Sequence, residues 1–157
     1  MAMAVITIGG DARKSINPEK RKNKMVDKKM SILVADDFGS MRTQIRGLLG
    51  QMGFKNVIEA RNGKEAMTLL EKDNIGFVIS DWNMPDGNGL DFLRLVRGHE
   101  KHGDLPFLMV TGLTERENVI AAVEAGVSNY MVKPFTPETL EMKIRAIFSC
   151  AEPLWER

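Results

Sequence analysis

The stretch Phe77–Leu93, FVISDWNMPDGNGLDFL, places an acid directly after a short run of apolar and small residues. The run ends on Asp81, and a Trp, an Asn, a Met-Pro step and two glycines follow. A run without polar alternation is typical of a strand that is covered on both faces. Asn88 is a good cap for a helix that begins next. The stretch therefore predicts a buried strand, a loop and a helix, with a carboxylate at the strand tip.

Similar units lie on both sides of this stretch, so that strands and helices alternate. The predicted strands cover residues 31–35, 56–60, 77–80, 105–111 and 129–132. Helical spacing of apolar residues or capping residues predict helices over 41–52, 64–72, 90–97, 114–125 and 137–149. Five strands alternating with five helices predict an α/β fold, a doubly wound five-stranded parallel sheet with helices on both faces.

Length and composition indicate one domain with a distinct leader. The chain has 157 residues, and no stretch approaches the ~20 apolar residues of a membrane span. Residues 1–29 carry eight basic and three acidic side chains, which leaves the remainder acidic. We predict a basic, disordered extension over 1–29, a domain over 30–150 and a tail over 151–157. The leader has no aromatic residue to stack on a base, so neither nucleic acid nor membrane is expected as a partner.

Polar side chains stand at the ends of four predicted strands. Asp36 and Asp37 follow the first, Asp81 the third and Lys133 the fifth, and Thr111 ends the fourth. In an open α/β sheet, ligands bind outside the carboxyl ends of the strands. Three crowded carboxylates repel one another unless one is protonated or a cation binds among them. Oxygen ligands of this kind, completed by phosphate oxygens, suit Mg²⁺.

The same groups can carry out phosphoryl transfer. A carboxylate can be a nucleophile that forms an aspartyl phosphate, and a metal neutralises charge on the transferring group. Lys133 adds a point charge and Thr111 a hydroxyl at the same edge. Any one of these residues alone would more often be a turn residue or a helix cap. Their coincidence at four strand ends predicts that Asp81 accepts a phosphoryl group.

Four motifs carry a family resemblance over about residues 30–150. They are LVADDF (33–38), DWNMP (81–85), LMVTG (108–112) and YMVKPF (130–135). As an ordered set they resemble the receiver domains of two-component response regulators, most closely the CheY-like single-domain chemotaxis type. This resemblance, and not the periodicity, implies a flavodoxin-like sheet with strand order 2-1-3-4-5, because that family is a standard example of the order.

The resemblance also implies roles for individual residues. Asp81 would be the phosphoacceptor. Asp36 and Asp37 would hold Mg²⁺, with Asp37 and Asp81 as direct carboxylate ligands and the backbone carbonyl of Asn83 as another ligand. Lys133 would contact the phosphoryl group, and its peptide bond to Pro134 would be cis.

A conformational switch and an output surface are further expectations. Thr111 and Tyr130 match the family's switch pair. The output surface is expected on helix 114–125, the strand that carries Tyr130 and the last helix. Its expected residues are Glu115, Val119, Val123, Tyr130 and Lys143, together with Val127. Leu113 and the sequence Thr114-Glu115-Arg116 depart from the chemotaxis pattern, which often has Glu and then lysines there.

The implied partners are a histidine kinase, a phosphatase and the flagellar motor switch protein. The expected function is a phosphorylation-switched signalling protein and not an enzyme beyond its own phosphoryl uptake and dephosphorylation. A monomer is expected. The single cysteine, Cys150, excludes an internal disulfide and favours a reducing, cytoplasmic setting.

Four alternatives compete with this interpretation. An aspartyl-phosphate phosphohydrolase would need a second carboxylate two residues after the nucleophile, where this chain has Asn83, and a cap for which the length leaves no room. A flavin phosphate would favour backbone N–H groups and not an acidic cluster. A DNA-binding regulator is disfavoured because the body is acidic and no output domain follows. The last alternative is a receiver with a partner other than the motor.

Overall fold

A computed structural model describes residues 26–112 and 116–149, and within them strands and helices alternate. The elements are β1 Ser31–Ala35, α1 Gly39–Gln51, β2 Asn56–Ala60, α2 Gly63–Lys72, β3 Ile75–Asp81, α3 Gly89–Arg97, β4 Phe107–Thr111, α4 Arg116–Glu124, β5 Asn129–Val132 and α5 Pro137–Phe148. All paired strands are parallel, and the sheet order is β2-β1-β3-β4-β5. The predicted fold class and strand order are confirmed.

The sheet is buried on both faces, which explains strands that lack polar alternation. Successive side chains of a strand point to opposite faces. Accordingly, Leu33 and Val78 belong to one buried cluster, whereas Ile32, Val34 and Phe77 belong to another. Helices cover each cluster, so the middle positions of the central strands are mainly apolar, and polar side chains come at the strand ends.

Side-chain caps fix the starts of three helices. The side chain of Asn62 accepts a hydrogen bond from the backbone N–H of Glu65 at the start of α2. Asn88 caps α3 in the same way, and Thr136 caps α5 just before Pro137, as the sequence predicts. Thr114, the expected cap of the fourth helix, lies outside the described residues.

Three element boundaries differ from the prediction by two residues. Helix α1 begins at Gly39, β3 begins at Ile75, and β4 begins at Phe107. The sequence predicts a strand from residue 105, but the N–H of Leu105 donates to the carbonyl of His102 in a turn. The carbonyl of Pro106 accepts from Val78, so pairing with β3 begins at the proline, which has no N–H to donate to the sheet.

The last residues of the predicted leader, 26–29, pack against the domain. The Lys28 ammonium donates to the carbonyl of Met52 at 2.7 Å and lies 4.4 Å from the centroid of the Phe54 ring. The side chain of Asn56 donates to the carbonyl of Lys29. These contacts extend the ordered domain to residues that the charge pattern assigned to the extension, whereas residues 1–25 lie outside the described part.

Gly89, the first residue of α3, packs against the backbone of β3. A Cβ at this position would overlap the carbonyl oxygen of Asp81 and approach the Met109 sulfur at 3.0 Å. We expect Gly89→Ala to lower the free energy of unfolding by about 2–4 kcal/mol. At Gly47, in the exposed middle of α1, an added Cβ would meet no atom of another element within 4 Å. Gly47→Ala should therefore raise stability by up to about 1 kcal/mol.

Urea unfolding of both variants measures the two changes. Equal effects of the two substitutions would contradict the close approach at Gly89, because both replace a helical glycine by alanine.

None of the helices in the described ranges has the length and apolar character that a membrane span requires.

Candidate functional site

The carboxyl ends of β1, β3 and β5 bring three acids and one lysine together. One carboxylate oxygen each from Asp36, Asp37 and Asp81 lie within 4.8 Å of one another. The Lys133 ammonium lies 3.3 Å from Asp36 Oδ2 and 3.3 Å from Asp81 Oδ1. The structure therefore gathers the predicted acids at one end of the sheet, in a group that could hold a metal ion.

Strand order and register cause this convergence. β1 and β3 are hydrogen-bonded neighbours, and Ala35 pairs with Ser80, so Asp36 and Asp81 leave the sheet side by side. Lys133 follows β5, and its N–H donates to the carbonyl of Thr111 at 2.7 Å. The Lys133–Pro134 peptide bond is cis, as the resemblance implies. Residues distant in sequence thus meet because each follows a parallel strand.

Asp81 is held in an environment that disfavours its charge. Its side chain is only 6% exposed. Burial, and then the neighbouring charge of Asp36, raise the pKa of Asp81 above its ordinary value, although Lys133 acts in the opposite direction. Asp81 Oδ1 also accepts a hydrogen bond from the Trp82 N–H at 2.8 Å. One lysine does not balance three carboxylates, so a further cation would relieve the repulsion.

The raised pKa of Asp81 predicts a pH-dependent penalty to folding. Between its ordinary value near 3.8 and the higher value in the folded chain, the folded state binds more protons than the unfolded state. The contribution of Asp81 to the free energy of unfolding therefore falls as the pH rises between these two pKa values. Without divalent cations, Asp81→Asn should be more stable than wild type at pH 7 by a larger margin than at pH 4.

Urea unfolding in a chelator at the two pH values measures this margin. A margin that is the same at both pH values, or that shrinks toward pH 7, would contradict it. Asp91→Asn, which changes an exposed acid on α3, serves as the control.

Backbone and side-chain contacts fix the orientation of Asp36. Its Oδ1 accepts from the N–H of Phe38 at 2.9 Å, and its carbonyl accepts from Arg42 Nη1 at 2.8 Å. Arg42 also pairs with Glu59 at 2.9 Å, and Arg46 pairs with Glu59 at 2.6 Å. The two arginines lower the pKa of Glu59. Sequence reasoning missed this support, because no local pattern links α1 to a carboxylate on β2.

Thr111 and Tyr130 lie on neighbouring strands and are both buried. Thr111 is the last residue of β4 and is inaccessible to solvent, and Tyr130 is only 7% exposed. In the register of β4 and β5, Tyr130 is opposite Met109, two residues before Thr111. Burial raises the pKa of the Tyr130 hydroxyl. Their role as a switch pair stays a prediction.

The other predicted site residues have varied surroundings. Asn83 is exposed in the loop after β3, and its role as a ligand stays a prediction. Val119 and Val123 are half-buried on α4. The Lys143 ammonium lies 3.5 Å from Asn129 Oδ1 and so joins α5 to β5. Glu115, together with Leu113 and Thr114, lies outside the described residues.

The prediction that Val127 contributes to the output surface is wrong. Val127 is fully buried, because the chain turns at Gly126 with a φ of +92° and directs the next residue into the core. Tyr130 adds little to this surface, since its ring is buried. On the described residues of α4 and β5, the exposed large apolar side chains are Ile120, 44% exposed, and Val132, 37% exposed. Neither of them was predicted from the sequence.

Comparison with known proteins gives a consistent result. Residues 32–145 match the response regulator receiver domain family. The chain is 47% identical over 119 residues to the chemotaxis protein CheY of Pseudomonas aeruginosa, covering 76% of this chain and 96% of that protein. It is 44% identical to the chemotaxis protein CheY-3 of Vibrio cholerae over 79% of this chain and 95% of that protein. The solved structure of Vibrio cholerae CheY4 superimposes with a TM-score of 0.72 at 32% identity, covering 76% of this chain and 98% of that one.

Proposed function

Because the chain belongs to the response regulator receiver domain family, as a CheY-like chemotaxis member, we propose that Asp81 accepts a phosphoryl group from a histidine kinase. The observation that supports this most directly is the buried Asp81 carboxylate, 3.3 Å from the Lys133 ammonium and beside two further carboxylates. We propose that the phosphorylated form has altered affinity for a partner protein, and that the chain acts in the cytoplasm.

The residues at this edge fit Mg²⁺ as the cofactor. All three candidate side-chain donors are carboxylate oxygens, which a hard divalent cation prefers, and Asp37 is the most accessible of the three. Asp37 and Asp81 would bind the ion directly, with the carbonyl of Asn83, while Asp36 adds negative charge nearby. When bound, Mg²⁺ would neutralise charge on the transferring phosphoryl oxygens.

The side chains of the chain itself would then carry the transfer. A carboxylate oxygen of Asp81 forms the new P–O bond while the P–N bond to the kinase histidine breaks, and the released imidazole takes up a proton. Lys133, already within 3.3 Å of the nucleophile, places its positive charge beside the developing phosphoryl oxygens. Thr111 offers its hydroxyl from the end of β4. Beyond its own phosphoryl uptake and loss, the protein is proposed to be a binding module and not an enzyme.

We propose the flagellar motor switch protein as the partner, bound through α4, β5 and α5. The support is the chemotaxis type of the relatives and an exposed apolar pair, Ile120 and Val132, on adjoining elements of this face. Glu117 and Glu124 on α4 are exposed near Ile120 and oppose an acidic ligand, so we expect this binding to be weak.

A titration with matched variants tests this partner. Activation with beryllofluoride should strengthen binding of the motor switch protein's acidic N-terminal segment by roughly tenfold. Ile120→Glu should remove most of this binding. Leu95→Glu, which changes an exposed leucine on α3, should bind like wild type.

If the activated protein does not bind the segment, or if both variants weaken binding equally, the motor assignment fails. Phosphorylation of Asp81 would then still be tested separately, because its assay uses no partner.

A further inference from the structure

The turn between β1 and α1 carries two of the three clustered acids, Asp36 and Asp37. Helix α1 begins directly after this turn, and its N-cap residue, Phe38, makes no side-chain hydrogen bond to the helix. The first turn of α1 also contains no acidic residue. Helices α2, α3 and α5 each have a side-chain cap, so the start of α1 depends on contacts of another kind.

Arg42, near the start of α1, supplies one of these contacts. Its Nη1 donates to the carbonyl oxygen of Asp36 at 2.8 Å. The guanidinium also lies close to the backbone of the turn, since a Cβ added to Gly39 would be 3.5 Å from Arg42 Nη2. The Arg42 side chain is only 16% exposed, so water competes little for its N–H groups.

The carbonyl of Asp36 belongs to the peptide unit that leads into Asp37. A peptide unit is planar, so a bond that holds the carbonyl also limits the direction in which the next residue leaves. The Asp36 side chain is fixed separately, because its Oδ1 accepts from the Phe38 N–H at 2.9 Å and its Oδ2 lies 3.3 Å from the Lys133 ammonium. Arg42 therefore orients the backbone immediately before Asp37.

Glu59 on β2 holds Arg42 in this position. Its Oε1 accepts from Arg42 Nε at 2.9 Å, and its Oε2 accepts from Arg46 Nη1 at 2.6 Å. The two arginines lower the pKa of Glu59, so its carboxylate stays charged at neutral pH. Because β2 pairs with β1 along its whole length, this carboxylate ties the turn to the sheet.

We propose that Arg42, held by Glu59, is a positioning residue that sets the affinity of the acidic site for Mg²⁺. This inference rests on the proposed function, in which Asp37 and Asp81 bind the ion. Arg42 acts through the peptide between Asp36 and Asp37 and not as a ligand. Residues that hold the ligands of a metal in place commonly change its affinity by about tenfold or more when they are replaced.

The charge of Arg42 by itself would have the opposite effect. A guanidinium repels a cation that binds nearby, so its removal would strengthen Mg²⁺ binding if only charge mattered. Loss of the fixed turn would weaken Mg²⁺ binding. The direction of the change in Kd therefore separates positioning from charge.

A magnesium titration followed by the fluorescence of Trp82 measures this direction. Arg42→Met keeps an unbranched side chain without N–H donors, and we expect it to raise the Kd for Mg²⁺ by about tenfold. Arg46→Met is the matched control, because it removes the same charge and a bond to the same carboxylate but leaves the bond to Asp36. Its Kd should equal that of wild type or be slightly lower. Far-UV circular dichroism confirms that both variants are folded.

A substitution of Glu59 tests the other side of the pair, and it remains informative if Arg42→Met does not fold. Glu59→Gln should raise the Kd by more than Glu65→Gln, which removes an acid that pairs with Arg61 and not with Arg42. If Glu59 acts through Arg42, the two substitutions are not additive. Arg42→Met should then change the Kd much less in the Glu59→Gln background than in wild type.

Labelling by acetyl phosphate adds a measurement that a general loss of structure would not reproduce. Arg42→Met should need about tenfold more Mg²⁺ for half-maximal labelling. At saturating Mg²⁺ its labelling rate should match wild type, because Arg42 bonds to the backbone of the turn and not to the Asp81 carboxylate.

Three outcomes would overturn the positioning role and leave Asp81 as the phosphoacceptor. The first is a Kd for Arg42→Met that is equal to or lower than that of wild type. The second is an equal rise in Kd for Arg42→Met and Arg46→Met. The third is a labelling rate of Arg42→Met that stays low at saturating Mg²⁺. A wild-type protein that does not respond to Mg²⁺ at all would instead contradict the proposed Mg²⁺ site, and this inference with it.

Discussion

Asp81→Asn should abolish covalent phosphorylation of the chain. Asparagine keeps the size and shape of the side chain, but its neutral amide is a poor nucleophile and forms no stable acyl phosphate. Wild type incubated with acetyl phosphate and a magnesium salt should gain the mass of one phosphoryl group, and hydroxylamine should remove it. Intact-mass spectrometry of the variant should show no gain in mass. This corresponds to a labelling rate at least about a hundredfold lower than that of wild type.

Controls make this result specific to Asp81. Asp91→Asn changes an acid on the exposed side of α3 and should be labelled like wild type. Equal labelling of the Asp81 variant would assign the phosphoryl group to another residue, and peptide mapping would then identify it. Loss of labelling in both variants would indicate that the assay responds to total charge and not to the nucleophile.

The acidic site was predictable because it depends on strand ends. A parallel sheet brings the carboxyl ends of its strands to one edge, so Asp36, Asp81 and Lys133 could be grouped before any distance was known. Short strands with flanking Gly, Pro and Asn give clear boundaries in the sequence. The strand order could not be predicted in this way, because periodicity does not determine which strands are neighbours. The order was predicted from the family resemblance.

Contacts made by long polar side chains could not be predicted in this way. Arg97 donates to the carbonyls of Gly126 at 2.9 Å and Leu105 at 2.7 Å, and so joins the loops that precede β4 and β5. Burial lowers the pKa of its guanidinium. Its partners are backbone carbonyls, which every residue possesses, so the sequence holds no pattern that identifies them. The Arg42–Glu59 pair is similarly absent from any local motif.

The sequence also could not predict which face of α4 is buried. The run Val119–Val123 is entirely apolar, so no polar position within it distinguishes an inner from an outer face. In the structure Ala122 is fully buried and Ile120 is 44% exposed. The helix thus directs an alanine toward the core and a larger side chain toward solvent.

Mg²⁺ should stabilise the folded chain, and Asp37→Ala should remove this effect. A ligand that binds only the folded state adds about 2.7 kcal/mol to the free energy of unfolding when its concentration is a hundred times Kd. Asp37 is the most accessible of the three clustered acids, and its carboxylate makes no hydrogen bond or ion pair with the described part of the domain, so its removal should perturb the fold least. Urea unfolding with and without magnesium chloride measures the difference, and Trp82, adjacent to Asp81, reports binding by fluorescence.

Two comparisons separate a bound ion from simple screening of charge. Screening by salt would act on every carboxylate, so sodium chloride at equal ionic strength would stabilise wild type as much as magnesium chloride does. Asp37→Ala also lowers the repulsion around Asp81, so the variant should be at least as stable as wild type without metal, although it no longer responds to Mg²⁺. Asp91→Ala should keep the full response. If Asp37→Ala were stabilised by Mg²⁺ as strongly as wild type, Asp37 would not be a ligand, and the buried pair of Asp36 and Asp81 would have to bind the ion with Lys133 already between them.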